Sequence, residues 1–333
     1  MKTLRWGIVG TGGIANAMAG MIKMADASEI GAVSSRRMET AQAFATTHEV
    51  PIAFDAWQAM LDSDDVDAIY VATPTSVREK ICIAAARAGK HVLGEKPFAS
   101  LPSVKRITAA CRDNDVAFMD GTHFVHHPRT LHIKKEREAL LGFVWSVASA
   151  FQFNLSDRGN IRFNPELEPM GAIGDAGWYN MRAAVEYLPP DVVLDTVSAH
   201  LRRDKETGAA ISGTGVLDFT DGSTSTWNCG FDSGAVVMDL RITGTGGVIN
   251  IDDFLGQNRD GSADFLYRKG GWGGGVSDDI NIASTKPGAA LMFEDMAAAA
   301  ADSSLREQWM TGTERTQALL DAAWVAALQQ ERT

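Results

Sequence analysis

Short apolar segments alternate with helix-like segments throughout the first third of the 333-residue sequence, and this alternation limits the possible folds more than any other feature. The apolar segments have the length of buried strands, and the segments between them are long enough for crossover helices. The strands are TLRWGIVG, EIGAVSS, VDAIYVATP, KHVLGEKP and VAFMDGT. Strands joined by such crossovers lie parallel, with helices on both faces. The sequence therefore predicts a doubly wound parallel sheet over residues 1–121.

The sequence changes character after about residue 122, where strand-like segments with turn motifs such as TDGS and GTGG become dominant. One helical run, GDAGWYNMRAAVEYL, precedes these strands, and two helical segments end the chain. Many of the strands alternate apolar and polar residues, as in an antiparallel sheet with one face on a core. We predict a C-terminal α+β domain over residues 122–333 with a large, mainly antiparallel open sheet. Its other face is expected to pair subunits into a homodimer or homotetramer.

The first predicted strand is followed by the glycine pattern GIVGTGGIA, which leads into a helix. Gly10 allows a tight turn, Gly12 lets the backbone approach a pyrophosphate, and Ala15 lets the helix pack close to the sheet. The N-terminus of the helix also attracts an anion. On the first strand-to-helix turn of an alternating run, this pattern predicts a Rossmann dinucleotide site contacted by Gly10, Gly12, Gly13 and Ile14.

The second predicted strand ends in the residues VSSRR, which contain no acidic side chain. A carboxylate at this position binds the ribose 2′-hydroxyl of NAD and repels a 2′-phosphate, whereas hydroxyl and guanidinium groups bind the phosphate. We therefore predict NADP(H) in preference to NAD(H), with Ser35 and Arg36 as ligands. Arg37 is interpreted as a solvated charge at the start of the following helix.

Composition excludes several classes of partner. The net charge of −11 opposes binding to nucleic acid and to anionic membrane surfaces. Cys82, Cys111 and Cys229 are widely spaced and are interpreted as small buried residues, and no spacing predicts a metal site. The N-terminal segment lacks the apolar stretch of a signal peptide, and no run of about 20 apolar residues predicts a membrane span. A soluble, cytoplasmic protein is expected.

The stretch GEKPFAS places a lysine at the carboxyl end of a buried strand, where open parallel sheets bind their ligands. The ammonium of Lys96 can stabilise a developing alkoxide or depress the pKa of a neighbouring phenol, and Glu95 can orient it. The preceding strand ends in Thr73-Pro74, at the same edge. This loop is equally compatible with a contact to the nicotinamide half of the cofactor and with an ordinary turn.

Hydride transfer also moves a proton, and GDAGWY offers a group for that step. Asp175 and Tyr179 are four residues apart and share one face of a helix. A phenol serves as a general acid/base when a cation lowers its pKa towards the working pH. Spacing alone is equally compatible with Tyr179 as a half-buried aromatic residue and Asp175 as a helix cap.

Taken together, GIVGTGGIA, AGKHVLGEKP and GDAGWY resemble the glucose–fructose oxidoreductase/inositol dehydrogenase (Gfo/Idh/MocA) family. The resemblance covers the first 121 residues and continues through residues 160–188. AFMDGTHFVHHPRT and NIRFNPELEPMGAIGDAGWY are most similar to uncharacterised plant and microbial oxidoreductases, a branch similar to the dimeric dihydrodiol and xylose dehydrogenases.

The resemblance implies roles for several residues. It makes Lys96 the catalytic cation and gives Tyr179 the acid/base position that many members fill with histidine. It also implies that Arg162 contacts the substrate or pairs at a domain interface. Apart from the resemblance, His123 is a candidate substrate ligand. The family's histidine pair after the fourth strand is replaced here by Arg78 and Glu79, which leaves the roles of these two residues open. The roles of His126 and His127 are open as well.

These observations predict an NADP(H)-dependent oxidoreductase that acts on a small carbohydrate-like substrate. The substrate is expected to be an aldose, a keto-sugar or a trans-dihydrodiol. Hydride would pass between nicotinamide and substrate, with Tyr179 as acid/base assisted by Lys96, and with Asp175 accepting a hydrogen bond from a substrate hydroxyl. Two alternatives stay open: a dinucleotide-dependent glycoside hydrolase and a non-catalytic NADP-binding regulator.

Overall fold

The computed structural model describes residues 3–258, 260–272 and 274–331, which form two compact units. The first unit contains the residues up to His126 together with Lys286–Glu314, and the second contains His127–Thr285 together with the residues from Arg315 onward. This division differs from the predicted ranges 1–121 and 122–333, because a segment late in the chain packs in the first unit. The assignment of dinucleotide binding to residues 1–121, and of substrate binding and subunit pairing to residues 122–333, stays a prediction. Their residues 1–2, 259, 273 and 332–333 lie outside the described residues.

A six-stranded parallel sheet with the strand order β3-β2-β1-β4-β5-β6 forms the centre of the first unit. The strands are β1 (Leu4–Val9), β2 (Ser28–Ser34), β3 (Ile52–Phe54), β4 (Ala68–Val71), β5 (His91–Gly94) and β6 (Phe118–Asp120). The order reverses between β1 and β4, as in dinucleotide-binding sheets. The prediction of a Rossmann-type parallel sheet is confirmed.

Five helices connect these strands. They are α1 (Gly13–Met24), α2 (Met38–His48), α3 (Trp57–Leu61), α4 (Thr75–Arg87) and α5 (Leu101–Asp113). Helix α5 shows how the local sequence starts a helix: the Ser100 hydroxyl accepts a hydrogen bond from the Ser103 amide at 3.3 Å, and a proline lies in the first turn. Each helix returns the chain so that all strand carboxyl ends reach one edge of the sheet.

The second unit is built on an eight-stranded sheet with the order β14-β13-β12-β11-β7-β10-β9-β8. Its strands are β7 (Val144–Asn154), β8 (Leu194–Arg203), β9 (Ala210–Phe219), β10 (Thr224–Gly230), β11 (Asp232–Gly244), β12 (Val248–Ile251), β13 (Ala263–Gly271) and β14 (Gly274–Ile282). β7 and β10 pair in parallel, and the other neighbours pair antiparallel. The prediction of a large, mainly antiparallel sheet is confirmed.

Four helices of the second unit are α6 (Pro128–Lys135), α7 (Arg137–Leu141), α8 (Gly171–Asp175) and α9 (Gly177–Tyr187). The single helix predicted for GDAGWYNMRAAVEYL is divided at Ala176, although this residue keeps a helical backbone. The Tyr179 amide donates to the Ala176 carbonyl oxygen at 3.1 Å, which is a tighter turn than in an α-helix. The spacing of Asp175 and Tyr179 is therefore close to that of one continuous helix.

Two helices end the chain, as predicted: α10 (Gly288–Ala301) and α11 (Arg306–Gln330). Helix α10 belongs to the core of the first unit, because Phe293 contacts Trp6 with ring centroids 4.9 Å apart and Tyr70 with centroids 5.7 Å apart. All three side chains are fully buried. This packing is the physical reason why Lys286–Glu314 joins the first unit rather than the second.

Candidate active site

The glycine turn between β1 and α1 has open space on the side where a ligand would approach. Gly10 has a φ of +108°, and a Cβ at this position would lie 2.7 Å from the Ala72 carbonyl oxygen, so the turn requires glycine. At Gly12 and Gly13, a Cβ would meet nothing within 4 Å. Gly12 caps α1 without a side-chain hydrogen bond, and the first turn of α1 contains no acidic residue. The turn thus suits an anionic group.

Two residues that the sequence did not reveal hold this turn. The Asn16 amide donates to the carbonyl oxygens of Thr11 at 3.2 Å and Gly12 at 2.9 Å. Its own oxygen lies 2.8 Å from Nε2 of His48, at the end of α2. Asn16 and His48 therefore link α1 and α2 to the glycine turn. Their contact joins residues 32 positions apart, and no local pattern signals it.

The end of β2 lies beside the glycine turn. The Ser35 hydroxyl lies 3.4 Å from the Thr11 hydroxyl, and the Ser35 amide donates to the Phe54 carbonyl oxygen at 3.1 Å. Arg36 and Arg37 are exposed. The edge of the sheet thus presents hydroxyl groups and guanidinium groups at the position predicted for a 2′-phosphate.

Glu95 and Lys96 follow β5 at the same edge. Glu95 is buried, its Oε1 accepts a hydrogen bond from the Tyr70 hydroxyl at 2.6 Å, and its Oε2 lies 3.3 Å from the Lys96 amide nitrogen. Burial raises the pKa of the Glu95 carboxyl, against the opposing charge of Lys96 and the Tyr70 bond. Lys96 itself is partly exposed. Glu95, which we predicted from the sequence to orient Lys96, thus contacts the Lys96 backbone.

Arg78 and Glu79, whose roles the sequence left open, lie in different environments on α4. Arg78 is buried and donates hydrogen bonds to the carbonyl oxygens of Thr73 and Pro97. Glu79 accepts hydrogen bonds from Arg106 at 2.5 and 2.9 Å in a surface ion pair, which lowers the pKa of the Glu79 carboxyl. Arg78 therefore belongs to the strand edge of the site, whereas Glu79 joins α4 to α5.

In the second unit, the structure brings together three of the predicted residues. Arg162 donates from Nε to Asp175 Oδ2 at 2.6 Å and from Nη2 to Oδ1 at 3.3 Å. The Asp175 charge raises the pKa of Arg162, and Tyr179 contributes in the same direction. Tyr179 is 8% exposed and meets Phe151 edge to face, with centroids 5.5 Å apart. The carboxylate, the guanidinium and the phenol thus form one polar cluster beside an aromatic wall.

The three clustered histidines have separate surroundings. His123 begins a short 3₁₀ segment and is partly buried. His126 bonds Asp295 at 2.6 Å through Nδ1 and stacks on Trp309. Nδ1 of His127 accepts the Arg129 amide proton at 3.1 Å, and Nε2 donates to the Gly261 carbonyl oxygen at 2.8 Å. His127 is therefore a helix cap of α6.

Several features of the described part of the chain bear on the composition-based predictions. Its three cysteines are unpaired and buried, and burial raises the pKa of Cys111 and Cys229 to about 12. Within residues 3–258, 260–272 and 274–331, no three acidic, histidine or cysteine side chains converge as metal ligands would. Over the same residues, no helix combines the length and the apolar character that a membrane crossing requires.

Comparison with protein families agrees with this organisation. The model described as "Oxidoreductase family, NAD-binding Rossmann fold" matches residues 4–122, and the model described as "GFO/IDH/MocA C-terminal domain" matches residues 137–250. The first match covers the glycine turn and Lys96. The second covers Arg162, Asp175 and Tyr179.

Among individual relatives, the chain is similar to a dTDP-3,4-didehydro-2,6-dideoxy-alpha-D-glucose 3-reductase of Actinomadura kijaniata, with 31% identity over 69% of each chain. It is 30% identical to a D-xylose 1-dehydrogenase (NADP(+)) of Haloferax volcanii, over 80% of this chain and 82% of the relative. The crystal structure of the A. kijaniata 3-ketoreductase KijD10 with NADP and TDP-benzene matches 98% of each chain with a TM-score of 0.88 and 24% identity. On this evidence, the chain is an oxidoreductase that belongs to the Gfo/Idh/MocA family.

Proposed function

We propose that this chain is an NADP(H)-dependent oxidoreductase that transfers a hydride between nicotinamide and a carbohydrate-like hydroxyl or carbonyl group. The observation that carries the proposal is the carboxyl edge of β1, β4 and β5, three adjacent strands of the first unit. The glycine turn, Thr73-Pro74 and Lys96 follow these strands in turn. Such an edge is where open parallel sheets bind nucleotides. The named relatives, a keto-sugar reductase and a xylose dehydrogenase, support a keto-sugar or an aldose as substrate. A trans-dihydrodiol stays a further candidate from the sequence resemblance.

The residues at this edge fit NADP(H). The space at Gly12 and Gly13 accommodates a pyrophosphate at the N-terminus of α1, and the exposed Ile14 offers apolar surface beside it. Ser35 and Arg36 suit a 2′-phosphate because a hydroxyl and a guanidinium both donate hydrogen bonds to it. Gly10, Thr73, Pro74, Glu95 and Lys96 complete the set of residues that we assign to the cofactor.

The chemistry requires a proton carrier and a group that stabilises negative charge. Bound NADP(H) supplies or accepts the hydride. Tyr179 transfers the hydroxyl proton, and Lys96 stabilises the alkoxide and assists the phenol as a cation. Asp175, oriented by Arg162, accepts a hydrogen bond from a substrate hydroxyl, while His123 and Arg162 are further candidate substrate contacts.

We assign the outer face of the eight-stranded sheet to pairing with a second copy of the chain. This face carries small and polar side chains around a shallow depression of about 600 Å³, lined among others by Ala148, Ala150, Thr214, Thr226, Asn228, Asp239, Arg241 and Asp252. Small side chains allow two sheets to approach closely. Acidic and basic groups on one face can also pair across a two-fold axis. A homodimer or homotetramer follows from this assignment.

The first experiment is a spectrophotometric assay of NADP reduction with a panel of aldoses, inositols and trans-dihydrodiols, with Lys96→Met as the matched inactive variant. The reverse assay follows NADPH oxidation with keto-sugars. Turnover by the wild type that is lost in Lys96→Met, while NADPH still binds, supports the proposal. Turnover retained in Lys96→Met removes the lysine from the chemistry. Absence of turnover in both directions, despite NADPH binding, contradicts the proposed activity.

A further inference from the structure

The buried side chain of Arg78 connects two loops that follow adjacent strands. Arg78 lies in the first half of α4 and is 4% exposed. One end of its guanidinium donates to the carbonyl oxygen of Pro97, just beyond β5, and the other donates to that of Thr73, just beyond β4. The Thr75 hydroxyl accepts a further bond at 3.1 Å. A single side chain therefore determines the separation of two loops at the edge where the nucleotide is proposed to bind.

This arrangement uses properties that are specific to arginine. A planar guanidinium reaches several acceptors in set directions, whereas the ammonium of lysine is a compact charge on a flexible chain. Burying a cation carries a large desolvation penalty. The acceptors on Thr73, Thr75 and Pro97 are uncharged oxygen atoms. An apolar side chain of similar volume would avoid that penalty. The arrangement therefore favours a role in geometry over a role in stability alone.

Further contacts extend this connection to both neighbours of Lys96. The Thr75 hydroxyl also donates to the Pro97 carbonyl oxygen, at 3.3 Å, and the Arg78 guanidinium carbon lies 6.0 Å from the centroid of the Phe98 ring. On the other side of Lys96, the charges of Lys96 and Arg78 both act to lower the pKa of the Glu95 carboxyl, against the larger effect of burial. Arg78 thus acts on both neighbours of Lys96: it donates a hydrogen bond to Pro97, and its charge acts on the carboxylate of Glu95.

We infer that Arg78 is a positioning residue for Lys96: by holding the Thr73 and Pro97 carbonyl groups, its guanidinium sets the place from which the lysine side chain reaches the reacting oxygen. The inference rests on the proposed role of Lys96. It assigns to Arg78, where the family pattern has histidine, a function that the sequence left open. A misplacement of about 1 Å in a catalytic group can reduce turnover about a hundredfold, so the contribution is measurable.

The first test observes Lys96 directly, without turnover. Reductive methylation with ¹³C-formaldehyde labels the lysines, and the Lys96 signal is assigned by its absence in Lys96→Met. In Arg78→Met, with NADPH bound, we expect this signal to change in chemical shift and line width, because the loop that carries Lys96 loses the contact at the Pro97 carbonyl oxygen. Arg106→Met is the matched control, since Arg106 pairs with Glu79 on the surface. An unchanged Lys96 signal in folded Arg78→Met overturns the inference.

The second test measures turnover of the best panel substrate. We expect Arg78→Met to lower kcat about tenfold to a hundredfold with little change in the Kd of NADPH, and Arg106→Met to keep wild-type kcat. Guanidinium chloride at millimolar concentration should restore part of the kcat of Arg78→Ala, whereas sodium chloride should not. A purely structural role predicts a lower Tm with unchanged kcat per folded molecule, and that result would contradict the inference.

If Arg78→Met does not fold, Arg78→Lys supplies the same measurements, because it keeps the buried charge and removes the planar fork. Its Lys96 signal is identified against the double variant with Lys96→Met. The two proposals fail in different ways. Full turnover in Lys96→Met removes the proposed function, whereas loss of turnover in Lys96→Met, combined with wild-type kcat and Lys96 signal in folded Arg78→Lys, removes only the role of Arg78.

Discussion

Arg162 and Asp175 form a two-point contact, with Nε 2.6 Å from Oδ2 and Nη2 3.3 Å from Oδ1. The Asp175 side chain is 14% exposed and that of Arg162 is 36% exposed, so the pair lies at the boundary between core and solvent. A carboxylate held at two points has a defined orientation. The residue that we assign to a substrate hydroxyl is therefore already positioned before any substrate binds.

Separating this pair should affect stability and substrate binding together. In a double-mutant cycle of Arg162→Met and Asp175→Asn, we expect a coupling of about 1 kcal/mol in the free energy of unfolding. We also expect Arg162→Met to raise KM more than it lowers kcat, because it releases the carboxylate without removing it. Urea denaturation and steady-state kinetics provide the two measurements. Additive effects in the cycle would show that the contact is not energetically significant.

Replacing Tyr179 tests the proton carrier. We expect Tyr179→Phe to lower kcat about a hundredfold to ten-thousandfold with little change in NADPH affinity, because the phenylalanine keeps the aromatic contact with Phe151 and removes only the hydroxyl. Tyr267→Phe is the matched control, a buried tyrosine on β13. If Tyr179 and Lys96 act in one step, Tyr179→Phe combined with Lys96→Met should cost less than the product of the single losses. Wild-type kcat in Tyr179→Phe would exclude the hydroxyl from the step.

Arg36 should determine the preference for the phosphorylated cofactor. We expect Arg36→Ala to raise the Kd of NADPH about tenfold, which corresponds to about 1.4 kcal/mol, and to leave the Kd of NADH nearly unchanged. The loss should shrink at high salt, because exposed charges are screened. Arg37→Ala serves as the control, because it removes the exposed arginine next to Arg36 and leaves Arg36 in place. Fluorescence titration provides both constants, and an equal rise for both cofactors would contradict the assignment.

His127 should make stability depend on pH. Burial lowers the pKa of this imidazole in the folded chain, and its neutral form is the one that accepts the Arg129 amide proton at Nδ1. The unfolded state, with a pKa of about 6.5, therefore binds the proton more readily. The stability that neutral His127 contributes is fully present above about pH 6.5. It is lost as the pH falls through the lowered pKa of His127 in the folded chain.

His127→Asn separates this effect from the other titrating groups, since an asparagine oxygen can cap α6 without taking up a proton. The free energy of unfolding should then depend less on pH across the acidic range than in the wild type, as measured by urea denaturation at several pH values. Leu131→Asn, at an exposed position without a titrating group on the same helix, should keep the wild-type slope. Equal slopes in the wild type and in His127→Asn would exclude His127 as the source.

A large charge on the outer face of the eight-stranded sheet should separate subunits. Ala150 lines the depression on this face from β7, which lies near the middle of the sheet. We expect Ala150→Arg to reduce the mass measured by light scattering to the 35.7 kDa of one chain. Ala88→Arg makes the same change at an exposed position after α4 and should leave the mass unchanged. A wild-type mass of one chain would contradict the assignment directly.

The sequence predicted features whose cause is local. The positions of Gly10, Gly12 and Lys96 at one edge of the sheet could be predicted, because each lies within a few residues of a strand end and the carboxyl ends of parallel strands meet at one edge. Their roles stay predictions. Tyr179 and Asp175 could be placed on one side because helix geometry determines that spacing. These residues needed no knowledge of distant contacts.

The features that the sequence did not predict depend on distant partners. Arg78 bonds to main-chain carbonyl groups, which leave no trace in the identity of the residues that carry them. Strand β14 contains Asp278 and Asp279, poor strand formers that adopt the strand because β13 pairs with them. The contact between Asn16 and His48 joins two helices that only the folded sheet brings together.

The position of α10 in the first unit has a consequence for how the protein is made. A ribosome releases β1 and β4 long before it reaches Phe293, the residue that covers Trp6 and Tyr70. In the nascent chain, the aromatic surfaces of Trp6 and Tyr70 therefore stay uncovered while most of the polypeptide is still being synthesised. We expect chaperones to shield this half during translation, and a gene fragment that stops at His126 to yield insoluble product because it lacks the helix that completes its interior.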